Sequence, residues 1–266
     1  MVRASDAVDR PIMPAVFAGH GSPMYAIEKN EFYKRLHEVA GDFPKPKGVL
    51  CISAHWETDG VFLTGSDQPE TIHDFGGFPK ALFDVRYPAP GNPVLARRAA
   101  TLLSKAGARV DAQRGLDHGC WSVLRAMYPE ADVPVVQLSL DRKSAASVHY
   151  HLATHLVPLR REQVLIIGTG NIVHNLGMID FRRVDGFDWA VRFNEEVKRR
   201  ILAGDHDALA AIETVGPEAR LAVPDPEHYL PLLYALAVKE EGEKVPFFND
   251  QVVMGSISMT SVLIGG

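Results

Sequence analysis

Ala15-Val-Phe-Ala-Gly-His-Gly-Ser-Pro23 is the stretch from which the rest of the chain is read. Ala15 to Ala18 form an apolar run that predicts a buried strand, and Gly19 ends it. His20 then falls at the carboxyl end of that strand, where Gly21, Ser22 and Pro23 turn the chain away. Ligands of open α/β sheets bind at this edge, because the loops of several strands converge there. Glycines on either side leave the imidazole uncrowded and let backbone approach a ligand closely. A single strand-end histidine is an ordinary loop residue; this one gains weight because the motif recurs.

Gly48-Val-Leu-Cys-Ile-Ser-Ala54 reads as a second buried strand, ending in His55-Trp56. Val164-Leu-Ile-Ile167 is another, followed by Gly168-Thr-Gly-Asn-Ile-Val-His174. His118 sits in the loop Gly115-Leu-Asp-His-Gly-Cys-Trp121, and His228 closes the rigid turn Pro224-Asp-Pro-Glu-His228 that opens a helix over 229–237. A mononuclear metal site needs about three protein ligands, and these can come from remote points if all face one crevice. His20, His55, His174, His118 and His228 are therefore the candidate functional histidines. The segment Thr71-Ile-His-Asp-Phe-Gly-Gly-Phe-Pro79 is a long irregular loop of the kind that belongs to binding sites, and His73 in it is either a loop hydrogen-bonder or a substrate contact.

The remaining segments alternate. Short strands are expected at 61–64, 109–112 and 134–140, and helices at 28–40, 93–105, 122–128, 189–202 and 207–213. A further helix, capped by Ser144, should reach Arg161, and 255–264 alternates like a half-buried strand. No repeat or linker interrupts the series. The expectation is a single α/β domain over residues 11–266, behind a flexible tail of residues 1–10, with a central mostly parallel or mixed sheet. Helices should cover both faces, with a metal site at the strand carboxyl ends.

A chain of 266 residues with 46% hydrophobic content can bury a full core. A net charge of −5 with no long basic block argues against nucleic acid or an anionic membrane as partner. No apolar run approaches the ~20 residues of a membrane span. Cys51 and Cys120 are the only cysteines, too few for a disulfide framework, and the expected location is the cytoplasm.

Other motifs read as scaffold. His149-Tyr-His151-Leu-Ala-Thr-His155 pairs two histidines one helical turn apart, but Leu152 stands where a zinc-protease helix needs Glu. A solvated helix face is expected there, and His37 and His206 are expected at the surface. Gly168-Thr-Gly170 begins like a dinucleotide fingerprint, yet His174 replaces the third glycine. Gly19-His-Gly-Ser-Pro23 lacks the Gly-x-Ser-x-Gly of a nucleophile elbow, which leaves Ser22 a turn residue or a support behind the site residues.

Seven motifs occur in one order: Gly-His-Gly-Ser-Pro at 19–23, Ser-Ala-His-Trp at 53–56, Ile-His-Asp-Phe-Gly-Gly-Phe-Pro at 72–79, Asp-His-Gly-Cys-Trp at 117–121, Gly-Asn-Ile-Val-His-Asn-Leu at 170–176, Pro-Glu-His-Tyr-Leu-Pro-Leu-Leu-Tyr at 226–234 and Gly-Ser-Ile-Ser-Met at 255–259. The set closely resembles the bacterial branch of the DOPA 4,5-extradiol dioxygenases. These are class III ring-cleaving dioxygenases, related to the catalytic subunit of protocatechuate 4,5-dioxygenase. The resemblance implies a non-haem Fe(II) site with His20, His55 and His228 as ligands, His174 as acid/base and His118 contacting substrate or oxygen. Its substrates would be a small aromatic diol, DOPA-like or related, and O₂, giving a muconic semialdehyde-type product. Much of the wider class uses a glutamate as third ligand; here Glu227 and His228 are adjacent, and the branch pattern points to His228. An all-histidine set also suits Zn(II), with His174 as a fourth ligand. Trp56, His73, Phe75 and Tyr229 are the candidate substrate-packing residues. Two other readings of the same histidines are a zinc-dependent hydrolase and a non-catalytic metal-binding relative, and the assembly expected is a monomer or small homo-oligomer.

Overall fold

A computed structural model describes residues 12–265, so the expected tail over 1–10 lies outside the described residues. The strands are β1 (Ala15–Gly19), β2 (Gly48–Thr58), β3 (Phe62–Thr64), β4 (Arg109–Asp111) and β5 (Val135–Asp141). They continue with β6 (Val164–Gly170), β7 (Phe247–Phe248), β8 (Val252–Val253), β9 (Ile257–Ser258) and β10 (Ser261–Ile264). Eight form one sheet in the order β4-β3-β5-β2-β6-β1-β10-β7, and β8 pairs with β9 apart from it. At the centre β5, β2, β6 and β1 run parallel, while β3 and β10 join antiparallel on the two sides.

Both faces of these central strands are buried, which is why they read as unbroken apolar runs. Ala15 and Phe17 of β1 point into one core, Val16 and Ala18 into the other. On the second side lie α1 (Tyr25–Glu28), α2 (Glu31–Gly41) and α3 (Lys80–Phe83), then, past α4 (Pro93–Leu102) on the first side, α5 (His118–Met127). The first side is completed by α6 (Ala146–Thr154), α7 (Val157–Arg161), α8 (Asp188–Ala203), α9 (His206–Ala210), α10 (Ala219–Ala222) and α11 (Leu230–Ala237). Among the described residues no helix is long and apolar enough to cross a membrane.

Several boundaries differ from the sequence reading, each for a local reason. The helix expected over 28–40 begins only at Glu31, because Lys29 turns left-handed (φ 49°) at the end of α1 and Asn30 caps α2, accepting from the Tyr33 N–H. Asn92 caps α4, accepting from the Leu95 N–H at 3.0 Å. Ser144 does not cap α6: its hydroxyl donates to Asp141 at 2.8 Å, and the helix begins at Ala146. The run toward Arg161 then breaks before Val157, where Pro158 occupies the first turn of α7. The C-terminal strand is two, β9 and β10. Gly168-Thr-Gly170, which follows the strand expected at 164–167, is itself the end of β6.

Candidate metal centre

Because β1, β2 and β6 are parallel, their carboxyl ends share one edge of the sheet. His20 follows β1 directly, its N–H donating to Gly170 O at 3.2 Å. His55 does not follow a strand end; it lies within β2, where the pairing with β5 shifts register between Ile52 and Glu57. Such an irregularity re-aims a side chain. Ser53 pins it: its Oγ accepts from the His55 N–H at 3.2 Å and donates to the fully buried Asp117 at 2.7 Å. Asp117 also caps α5 by accepting from the Cys120 N–H, so His118 opens a helix rather than sitting in a loop. The helix can start there because residue 119 is glycine. A Cβ on Gly119 would stand 2.5 Å from Ser53 Oγ and 2.8 Å from His55 Cδ2.

His228 reaches the same edge from the opposite side. A Cβ on Gly168 would lie 2.2 Å from Pro231 O, and one on Gly170 would lie 2.1 Å from His228 O. The two glycines therefore let the start of α11 rest on β6. Glu227 Oε1 lies 2.8 Å from His228 Nδ1 and holds the proton there, so the lone pair is on Nε2, which is buried without a protein partner.

The three imidazoles converge. One ligand nitrogen from each of His20, His55 and His228 lies within 4.8 Å of the others, and Nε2 of His20 and His55 are 3.1 Å apart. Two nitrogens held about 2.1 Å from one ion stand roughly 3.0–3.4 Å apart, so this spacing fits a shared ion. The donor chemistry fits as well: His228 Nε2 has no donor to accept from, and three neutral imidazoles leave further coordination positions open.

His174 and His118 flank the triad. The His174 ring stacks on His228 with centroids 3.5 Å apart and planes 10° apart. His118 packs against His55 at 3.9 Å between centroids. Asp74 Oδ1 accepts from the His118 backbone N–H at 2.9 Å and lies 3.0 Å from Nδ1, out of hydrogen-bonding alignment, while Oδ2 is 3.9 Å from His55 Nδ1. Burial, then repulsion from neighbouring imidazoles, holds His20 and His228 well below the usual histidine range and His55 at about 3. Burial brings His174 to about 4, below the ordinary ~6.5 of a histidine, so it is a neutral base at neutral pH. Burial pushes Asp74 up, but contact with His118 outweighs it and leaves the carboxyl at about 2.

A cleft of about 660 Å³ opens beside the triad, lined by Ala54, His55, Glu57, Asp74, Arg142, Asp225, Pro226, Glu227 and His228. None of the four candidate packing residues lines it. Phe75 stands edge-on to His118 at 5.4 Å, and His73 lies behind it, with Nε2 3.0 Å from Val85 O. Trp56 is buried beneath the Arg114 guanidinium, and Tyr229 is buried in the core.

The other histidines stay away. His37, His151 and His155 are exposed, as expected. His149 is not on a solvated face: it is buried, with Nδ1 2.9 Å from Tyr234 Oη. His206 is half-buried against Tyr150. Sequence reasoning missed Asp74, Asp117 and Arg142. Only Asp117 had a legible signal, an Asp one residue ahead of a helical segment.

A family profile described as "Catalytic LigB subunit of aromatic ring-opening dioxygenase" matches residues 11–264. The chain is similar to a 4,5-DOPA dioxygenase extradiol of Escherichia coli (strain K12), 41% identical over 259 residues and covering 95% of each chain. It is 38% identical over 256 residues to one from Beta vulgaris, covering 94% of this chain and 96% of the relative. The crystal structure of an uncharacterized protein from Escherichia coli K12 superposes with a TM-score of 0.84 at 36% identity, covering 95% of this chain and 100% of that one.

Proposed function

The chain belongs to the LigB family of aromatic ring-opening dioxygenases, in its 4,5-DOPA extradiol branch, and is an extradiol ring-cleaving dioxygenase; on that premise we propose that it opens a DOPA-like catechol at a non-haem Fe(II) centre held by His20, His55 and His228. The observation that carries the ligand set is the convergence of three neutral imidazoles on one point, with Glu227 fixing the free lone pair of His228 on Nε2. Family membership decides against the hydrolase and non-catalytic readings of the same histidines. When bound there, the metal acidifies the catechol hydroxyls and supplies the redox partner that O₂ needs. His174, neutral and stacked on His228, takes up a catechol proton on a ring nitrogen and later returns it. The Asp74 carboxylate beside Nδ1 of His118 favours the tautomer protonated there, leaving Nε2 for substrate or oxygen. Phe75, next to His118, packs against the substrate ring, with His73 supporting it from behind. The product is of the muconic semialdehyde type.

Zn(II) suits the same donors and, being redox-inert, would leave the protein folded and inactive. Cytoplasmic residence and a monomer or small homo-oligomer complete the proposal; the free, buried Cys51 and Cys120 suit a reducing compartment. The test is to load the protein anaerobically with Fe(II), admit air and screen catechols for yellow semialdehyde absorbance. At least one DOPA-like catechol should be opened. A sample holding one iron per chain that consumes no catechol would overturn the reading.

A further inference from the structure

The cleft beside the triad is acidic with one exception. Glu57, Asp74, Asp225 and Glu227 line it, and Arg142 is the only cation among the lining residues. Asp74 faces His118 and Glu227 faces His228, which leaves Glu57 and Asp225 uncommitted. The Arg142 side chain is exposed and makes no hydrogen bond or ion pair with any described residue. Its neighbour Lys143 does pair, donating to Asp59 at 2.6 Å.

The backbone that carries Arg142 is fixed. Its N–H donates to Thr58 O at 3.1 Å, tying the turn after β5 to the end of β2. Asp141 Oδ1 accepts from the N–H groups of Gly60 and Lys143, and the buried His149 contacts Asp141 O through Nε2 at 3.2 Å. The guanidinium thus projects from a pinned turn into the cleft that His55 and His228 border, without a partner of its own. Its fork of donors is therefore open to a ligand that supplies the opposite charge.

We propose that Arg142 is a specificity-determining residue: it binds a carboxylate on the side chain of the catechol whose ring sits at the metal centre. The inference rests on the ring-cleavage reading for the position of the ring. Arginine suits the task because its planar fork offers paired donors to a carboxylate. The uncommitted acids sharpen the selection, since Arg142 alone offsets an anion's charge there.

The test reads binding first and turnover second. Anaerobic, iron-loaded native protein and Arg142→Gln are titrated with dihydrocaffeate, which carries a carboxylate, and with methylcatechol, which does not. Phenylpropanoate, a carboxylate without the catechol, is the third probe. Loss of a charge-assisted pair should weaken dihydrocaffeate about 10- to 100-fold, with methylcatechol changing far less, and Arg142→Lys should recover part of the difference. The kcat/KM ratio of dihydrocaffeate to methylcatechol should fall in parallel. Equal weakening of both catechols, or unchanged dihydrocaffeate affinity, would overturn the proposal. If native protein cleaves methylcatechol but shows no dependence on Arg142, only this inference fails. If it cleaves no catechol yet binds phenylpropanoate through Arg142, the ring-cleavage reading fails instead.

Discussion

His174 lies face to face with His228, its ring 3.5 Å away, yet it projects from the segment beyond β6 rather than from α11. It therefore lies beside the point on which His20, His55 and His228 converge, and shares with Glu227 and His228 a second cluster of possible ligand atoms. Replacing His174 by Gln should leave iron content near native and slow single-turnover cleavage by about 10²–10⁴-fold, the usual contribution of a positioned acid–base group. Iron content and rate are read on one preparation. Full iron with an unchanged rate would remove His174 from the chemistry, and lost iron would make it a ligand. At this scale the sequence was most legible for residues whose identity is unusual. Histidines beside glycine declare themselves, whereas Asp74 and Arg142 are single charges in irregular segments, with nothing in their spacing to mark a role. Tyr229 and Trp56 illustrate the converse: an aromatic beside a motif histidine is as readily core as binding wall.

Among elements, the contact between β6 and the start of α11 matters most for the site. The strands were legible because both faces of the central sheet are apolar, so each run is continuous. The position of α11 was not, because Gly168 and Gly170 read equally as a turn or as a surface for close approach. Gly170→Ala would set a Cβ 2.1 Å from His228 O, with the adjoining Asn171 N–H already donating to that oxygen at 2.8 Å. Overpacking of this kind costs about 1–3 kcal/mol, and the denaturation midpoint should fall accordingly. The metal content should fall too, because the displaced backbone is that of His228. Gly41→Ala is the control: at the end of α2 nothing lies within 4 Å of its Cβ position, and stability should hold or rise. Equal midpoints and metal content for the two variants would show that β6 does not set the position of His228.

Across the whole molecule, several buried or half-buried imidazoles are kept neutral, and that couples the fold to pH. His20, His55, His174 and His228 all have folded-state values below the ordinary ~6.5. As pH falls, the unfolded chain takes up these protons first, so stability present above ~6.5 is lost progressively below it. The loss continues toward about 4 for His174 and about 3 for His55. Denaturation midpoints of the metal-free protein should be steady above neutrality and decline from about pH 6.5 to 4.5. A flat profile across that window would mean that the histidines are not buried neutral. The central claim, that this sheet edge performs dioxygen chemistry on a catechol, is met most directly by mass spectrometry of the ring-opened product. The iron-loaded protein is given isotopically labelled O₂, and the aldehyde is trapped at once by borohydride reduction. Both labelled atoms should appear in the product, one at the acid and one at the trapped alcohol. A product whose acid oxygen comes from solvent would contradict the account.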